Sequence, residues 1–354
     1  MKLADSHIHI RFCDPNKIMG MLDTLGEEGV CEACLLTLPY RGAAENLAAL
    51  YVKQHYRQYP VRVLGGLHVT DRYAALPPET VAAALLDMGC DGMKLMFSPD
   101  LRRFYGRGID DPWYDRFFAL MEERDVPLNI HLVDPEEFWD KGGRYDDPSF
   151  LSKQAIYEEM FRRLEKNPRL RVVFAHFFFL SNRPEEAVRV METYPNVCFD
   201  LTPGTEMYYN FDNNLPFWQG FFKTYSHRIL FGTDCNTIKS CNRELERLVY
   251  RKLTETGTFT QFCYGRDFTV QGLGLDEETV ARISYRNYFD FFGTTPKPVN
   301  EALFRTACRR VLRDLEEHPE DPAYLRGGEL IPDLKKDPGQ TIAATLCRRA
   351  LGEG

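Results

Sequence analysis

The chain has 354 residues, a formal net charge of −8, 44% apolar and 27% charged residues. That is the balance of a folded globular protein, long enough for one large domain or two ordinary ones, and its mild acidity argues against a nucleic-acid or anionic-membrane surface. Ten cysteines in so long a chain do not make a disulfide scaffold, and Asp5, His7 and His9 interrupt any leader-like apolar run, so a reducing, cytoplasmic setting is expected.

Strand-like runs occur at 2–10, 31–38, 61–69, 90–97, 126–133, 171–179, 197–202 and 229–234. Amphipathic helical stretches lie between them at 16–28, 46–59, 79–88, 113–123, 154–166 and 184–194; the first carries Ile18, Met19, Leu22 and Leu25 at helical spacing. Cys31 and Cys34 have CxxC spacing, but they fall on a strand with no second pair, and Cys34, Cys90 and Cys198 read as small buried hydrophobes. The longest apolar run, 172–180, is too short to span a bilayer and contains His176. Eight alternations of strand and helix predict a (β/α)8 TIM barrel, which needs about 250 residues. An open doubly wound sheet competes, but no GxGxxG follows the first strand.

Helical stretches follow at 242–256 and 277–292. The segment 296–354 is punctuated by proline and rich in Arg and Glu, with helices expected at 301–317 and 341–351. The expected division is a barrel over 1–292 and a C-terminal helical extension over 293–354, the latter an appendage or a homo-oligomer contact.

Chemistry-bearing residues gather at strand ends. Side chains alternate along a strand, so Asp5, His7 and His9 are expected on one face. Two adjacent imidazoles are costly to bury if charged, and a divalent metal is the common reason to pair them. His131 ends strand five, His176 lies near the end of strand six, and Asp234 ends strand eight. In a barrel all of these ends converge on one mouth.

The pattern Asp5-Ser6-His7-Ile8-His9, then His131, His176 and Gly232-Thr233-Asp234, resembles the amidohydrolase superfamily, in its amidohydrolase-2 branch. That branch includes aminocarboxymuconate-semialdehyde decarboxylase and related hydrolases; Gly92-Met93-Lys94-Leu95 and Asn287 also fit it, and the resemblance spans about residues 1–292. It implies a (β/α)8 barrel with one divalent metal, Zn2+ with Mn2+ as the alternative, held by His7, His9, His131 and Asp234. It also implies His176 as the residue that moves a proton or polarises the substrate, with Asp234 accepting a proton from water. Asp5 either orients a histidine or closes the barrel floor. Lys94 occupies the strand where distant relatives carry a carbamylated lysine; its context matches the one-metal branch, so an unmodified lysine contacting substrate is expected.

Where relatives follow the strand-six histidine with glycines, this chain has Phe177, Phe178 and Phe179. Loop residues Tyr40, Arg41, Arg102, Arg103, Tyr105, Arg107, Trp139, Lys141, Arg144, Tyr145, Tyr208, Tyr209 and Trp218 suit a planar or unsaturated carboxylate, or else merely pack the loops. Lys94, His68, Arg41 and Trp139 are the expected substrate contacts, while Asp200 and Thr202 either line the site or belong to the core. His55, His227 and His318 are expected at the surface. The leading expectation is a metal-dependent hydrolase cleaving C–N or C–O bonds of a small-molecule substrate, with no nucleic-acid or membrane partner. The alternative is a metal-dependent decarboxylase with the same ligands. A non-catalytic barrel scaffold would be marked by a missing ligand residue, and none is missing.

Overall fold

The computed structural model describes residues 2–10, 14–38, 43–67, 76–204, 206–237, 239–317 and 339–353. Arg41, His68 and His318 therefore lie outside the described residues.

Seven strands run parallel, each paired with the next: β1 (Leu3–His9), β2 (Val30–Leu36), β3 (Val61–Gly66), β4 (Gly92–Met96), β5 (Pro127–His131), β6 (Arg171–Phe174) and β7 (Val197–Asp200). The last run divides into β8 (Ile229–Leu230), paired with β7, and β9 (Cys235–Asn236), paired with β1. Between these short strands, Phe231 O accepts from Ser6 N at 3.0 Å and Asp234 N donates to His7 O at 2.9 Å, so this run closes the ring. Strands covered on both faces read as nearly continuous apolar runs, and all but one residue of β1, β2 and β3 together are buried.

The covering helices are α1 (Pro15–Glu27), α2 (Ala43–His55), α3 (Pro78–Met88), α4 (Pro99–Tyr105), α5 (Asp115–Glu123), α6 (Lys153–Lys166), α7 (Pro184–Thr193), α8 (Met207–Asn213), α9 (Leu215–Thr224) and α10 (Asn242–Thr254). Their starts follow local rules: Asp14 accepts from Asn16 N with Pro15 opening α1, and Ser152 accepts from Ala155 N at the start of α6. Ile18, Met21, Leu22 and Leu25 bury the inner stripe of α1.

The helix expected at 277–292 is interrupted. It consists of α11 (Glu277–Ala281), a π-helical turn at Arg282–Arg286 and α12 (Asn287–Phe292). In that turn Ile283 O accepts from Phe231 N at 3.1 Å, which explains the break: the barrel's closing run takes a carbonyl that an α-helix would use itself. Helix α12 plugs the barrel's N-terminal end. Tyr288 joins Ala4, Cys34, Leu36 and Leu64, and Phe291 joins Val173, Cys198 and Leu230.

Three helices and a hairpin fall outside the expected elements. Helix α4 follows the fourth strand, α8 and α9 sit in the strand-seven loop, and an antiparallel hairpin, β10 (Thr258–Cys263) with β11 (Arg266–Gln271), follows α10. Beyond the barrel, α13 (Glu301–Glu317) and α14 (Gly339–Leu351) pack on each other and on α2. The chain reaches them past Gly89, at φ +119°, where a Cβ would stand 2.6 Å from Pro298 O; only glycine fits that approach. No helix among the described residues is long and apolar enough to cross a membrane.

Candidate metal centre

The alternation expected for Asp5, His7 and His9 fails at a register irregularity between Asp5 and Ile8. Asp5 turns away from the mouth to meet Cys235 and Glu246 of α10. Its Oδ1 accepts His7 N–H at 2.8 Å and its Oδ2 accepts Thr233 Oγ1–H at 2.5 Å. It therefore fixes the His7 backbone and the closing run, and does not orient an imidazole.

The ring of His7 is oriented by Asp200. His7 Nδ1 lies 2.7 Å from Asp200 Oδ2, and His9 Nδ1 lies 3.1 Å from Leu36 O. A carbonyl only accepts, as does an ionised carboxylate, so each Nδ1 carries the hydrogen and each Nε2 a lone pair. The two Nε2 atoms face each other at 3.0 Å. Two lone pairs so close repel each other unless a cation lies between them. Asp234 Oδ1 is 3.5 Å from His9 Nε2, and the ligand atoms of His7, His9 and Asp234 all lie within 4.8 Å of one another. Nitrogen and oxygen ligands about 2.0–2.2 Å from a tetrahedral zinc stand roughly 3.4 Å apart, close to the 3.0 and 3.5 Å between these donors, so small side-chain movements suffice to hold an ion.

Asp234 has φ +58°, and this left-handed backbone ends the last strand run beside His7. Lys239 Nζ donates to its Oδ2 at 2.7 Å and to its backbone O at 2.6 Å. Burial opposes ionisation of Asp234, but Lys239, His9 and His7 outweigh it and hold the carboxyl well below the usual range.

Asp200 knots the strand ends together. Besides His7, its Oδ2 accepts Asn129 Nδ2 at 3.3 Å, and its Oδ1 accepts His176 N at 2.9 Å and Thr202 N at 3.2 Å. Although burial opposes ionisation, His7 and these bonds keep the carboxylate ionised far below its ordinary range. Lys94 Nζ donates to Asn129 Oδ1 at 2.5 Å, and burial pushes the lysine down to about 8. Burial, with Lys94 nearby, also lowers His7, which favours the neutral imidazole.

His176 stands beside this cluster, its ring centroid 5.7 Å from that of His7 and 4.9 Å from that of His131. The strand expected to run to 179 stops at Phe174, because His176, Phe177, Phe178 and Phe179 take φ of +56°, +55°, +55° and +53°. A left-handed turn of non-glycine residues costs about 1–2 kcal/mol per residue. Packing offsets it. Phe177 is enclosed by Phe199, Phe211, Trp218, Phe221 and Phe222, and Phe178 stacks on Phe174 at 3.7 Å. Tyr157 Oη donates to Phe178 O at 2.8 Å and Phe179 O at 3.3 Å. His176 Nδ1 meets Thr202 O at 3.2 Å, so Nδ1 holds the hydrogen and Nε2 is the acceptor. Burial and the neighbouring His131 push His176 down to about 3. His131 turns its Nε2 to Asp134 Oδ1 at 3.2 Å, and Asp134 Oδ2 takes Tyr145 Oη–H at 2.5 Å.

A family model described as amidohydrolase matches residues 41–293. The chain belongs to the amidohydrolase-2 family. The matched span starts after His7 and His9 and includes His131, His176 and Asp234. No curated protein sequence matches significantly. Among solved structures, the fold is similar to an amidohydrolase II (TM-score 0.52, 16% identity, 83% of this chain and 100% of that one). It is also similar to 2,6-dihydroxybenzoate decarboxylase from Rhizobium (TM-score 0.52, 16% identity, 82% and 98%). A third similar structure is 5-carboxyvanillate decarboxylase from Sphingomonas paucimobilis (TM-score 0.51, 13% identity, 83% and 99%). At these identities the likeness concerns the fold.

Measured against the expected amidohydrolase site, His7, His9 and Asp234 come together, and His131 and His176 lie beside them. Lys94 is 1% exposed with Nζ committed to Asn129, beneath the mouth. Trp139 packs on Tyr145 at 4.8 Å and donates Nε1–H to Leu151 O at 2.9 Å, so its donor is spent within its own loop. Two arginines of the strand-four loop have partners in the fold: Arg102 grips Glu159 and Arg103 lies over Phe150. Trp218 is core. Sequence reasoning missed Lys239, Tyr264 and Asp134, none of which ends a strand. Asp200 was visible as an aspartate at a strand end.

Proposed function

We propose that this amidohydrolase-2 protein is a metal-dependent hydrolase that cleaves a C–N or C–O bond of a small organic substrate. The observation that carries this is the pair of Nε2 lone pairs facing each other at 3.0 Å, with their tautomers fixed by Asp200 and Leu36 and with Asp234 alongside. His7, His9 and Asp234 would hold the ion, and His131, turned from Asp134, is proposed as the fourth ligand. Two imidazoles and a carboxylate suit zinc, with manganese as the alternative. A bound divalent ion supplies Lewis acidity toward a carbonyl or a water.

The chain's own groups do the rest. His176, neutral and with Nε2 as acceptor, takes a hydrogen bond from the attacking water and orients it, while Asp234 is proposed to accept the water's proton. Asp234 stays ionised through Lys239 and the two histidines. Lys94 is proposed as an unmodified amine that brings positive potential to the floor of the site, through Asn129, without a bridging role.

Metal analysis after loading with zinc, followed by product analysis on lactones, amides and unsaturated carboxylates, tests this reading. Absence of bound metal defeats it. A second reading, non-hydrolytic decarboxylation, draws support from the two similar structures that are decarboxylases. Release of carbon dioxide without cleavage of a C–N or C–O bond selects it.

A further inference from the structure

The hairpin that follows α10 reaches back to the metal centre. Its two-residue turn is Tyr264-Gly265, with φ of +53° and +73°. Such turns favour Asn or Gly at the first of these positions, so a tyrosine held there is backbone strain at a functional mouth. The hairpin is anchored from the strand-seven loop, where Asp212 Oδ2 accepts Gln271 N at 2.9 Å. At its tip, Tyr264 Oη accepts an N–H from Lys239 Nζ at 3.2 Å, and the same ammonium lies 2.7 Å from Asp234 Oδ2.

A divalent ion on Asp234 Oδ1 would leave one carboxylate serving two cations. The side chains of Lys239 and Asp234 are 17% and 21% exposed, and Tyr264 is 38% exposed, so solvent and small solutes reach this point. Tyr264 accepts from Lys239 and keeps its own O–H proton to give, and a hydroxyl polarised by an ammonium is a stronger donor.

We propose that Lys239 and Tyr264 form the anion-binding part of the substrate site, gripping a carboxylate of the substrate beside the metal centre. This rests on the metal-dependent reading above. Burial and Asp234 raise the Tyr264 phenol, which keeps it a donor through the physiological range. The three N–H groups of the ammonium are taken by Asp234 O, Asp234 Oδ2 and Tyr264 Oη, so Lys239 supplies charge and the Tyr264 hydroxyl supplies the directed hydrogen bond. The grip belongs to the hairpin and the loop after the last strand, outside the expected set of Lys94, His68, Arg41 and Trp139.

The test uses the full-length protein loaded with zinc and titrated calorimetrically with benzoate and with its neutral analogue benzamide. The wild type should prefer benzoate. Lys239→Met and Tyr264→Phe should each weaken benzoate binding more than benzamide binding, the lysine variant by about tenfold or more, with zinc stoichiometry unchanged. Zinc uptake with benzoate affinity unaltered in both variants overturns the proposal alone, as does a wild type that binds zinc and shows no preference for benzoate. Loss of zinc in Lys239→Met also overturns it, because the lysine would then serve only Asp234. A wild type that takes up no zinc defeats the metal-dependent reading itself, and the proposal falls with it.

Discussion

His7 Nδ1 and Asp200 Oδ2 lie 2.7 Å apart across the barrel, joining the first strand to the seventh. This contact sets which nitrogen of His7 faces His9. Replacing Asp200 with asparagine keeps the shape but lets an amide N–H compete for the same position. Asp200→Asn should lower zinc affinity by about 10–100-fold, the usual effect of removing the partner that orients a ligand histidine. Metal titration with circular dichroism as the folding control measures this, and unchanged affinity would assign Asp200 to the scaffold alone.

The left-handed turn at Phe178 reverses an ordinary substitution rule. In regular structure, alanine is more stable than glycine by about 0.5–1 kcal/mol. At φ +55° glycine carries no Cβ penalty, so Phe178→Gly should be more stable than Phe178→Ala by about 1 kcal/mol. Both should be far less stable than wild type, because the ring is buried against Phe174 and Tyr157. Urea unfolding of the two variants decides it; the opposite order would mean the turn relaxes once the ring is gone.

His176 should resist protonation. Burial and His131 place it at about 3 in the fold against 6.5 ordinarily. The unfolded chain therefore binds this proton first as the pH falls. The stability involved is complete above about 6.5 and drains as pH drops toward about 3. Nitrogen-15 NMR of the imidazole should show one Nδ1–H tautomer from pH 8 to about pH 5. An imidazolium signal near pH 6 would show that the fold does not hold His176 neutral.

Glu246 is the opposite case. It is fully buried, and burial together with Asp5 raises its carboxyl well above the ordinary 4.5. The folded protein then holds a proton that the unfolded chain releases, so stability declines as pH rises from about 4.5 toward the folded value. Glu246→Gln removes that dependence. The variant should gain about 1–3 kcal/mol over wild type at pH 8, with the gap closing as pH falls toward 5, by chemical denaturation at each pH. A pH-independent difference would show that Glu246 does not titrate with folding.

The sequence alone was sufficient for the barrel. Strand–helix alternation has a period that local side-chain patterning must obey, and the structure brings His7, His9 and Asp234 together with His131 and His176 beside them. Four features needed the tertiary structure. Asp5 leaves the face of His7 because a register irregularity overrides alternation. The strand-six run bends left-handed at His176, since its phenylalanines gain more from aromatic packing than they lose in backbone strain. Asp200 becomes the partner of His7 through a contact 193 residues away in sequence, a separation that no spacing rule spans. Lys239 and Tyr264 reach Asp234 from a loop and a hairpin tip, and neither has a period that could announce it. Local pattern fixes which elements form, whereas the identity of a polar group's partner is settled only when distant segments close around it and each buried donor must find an acceptor.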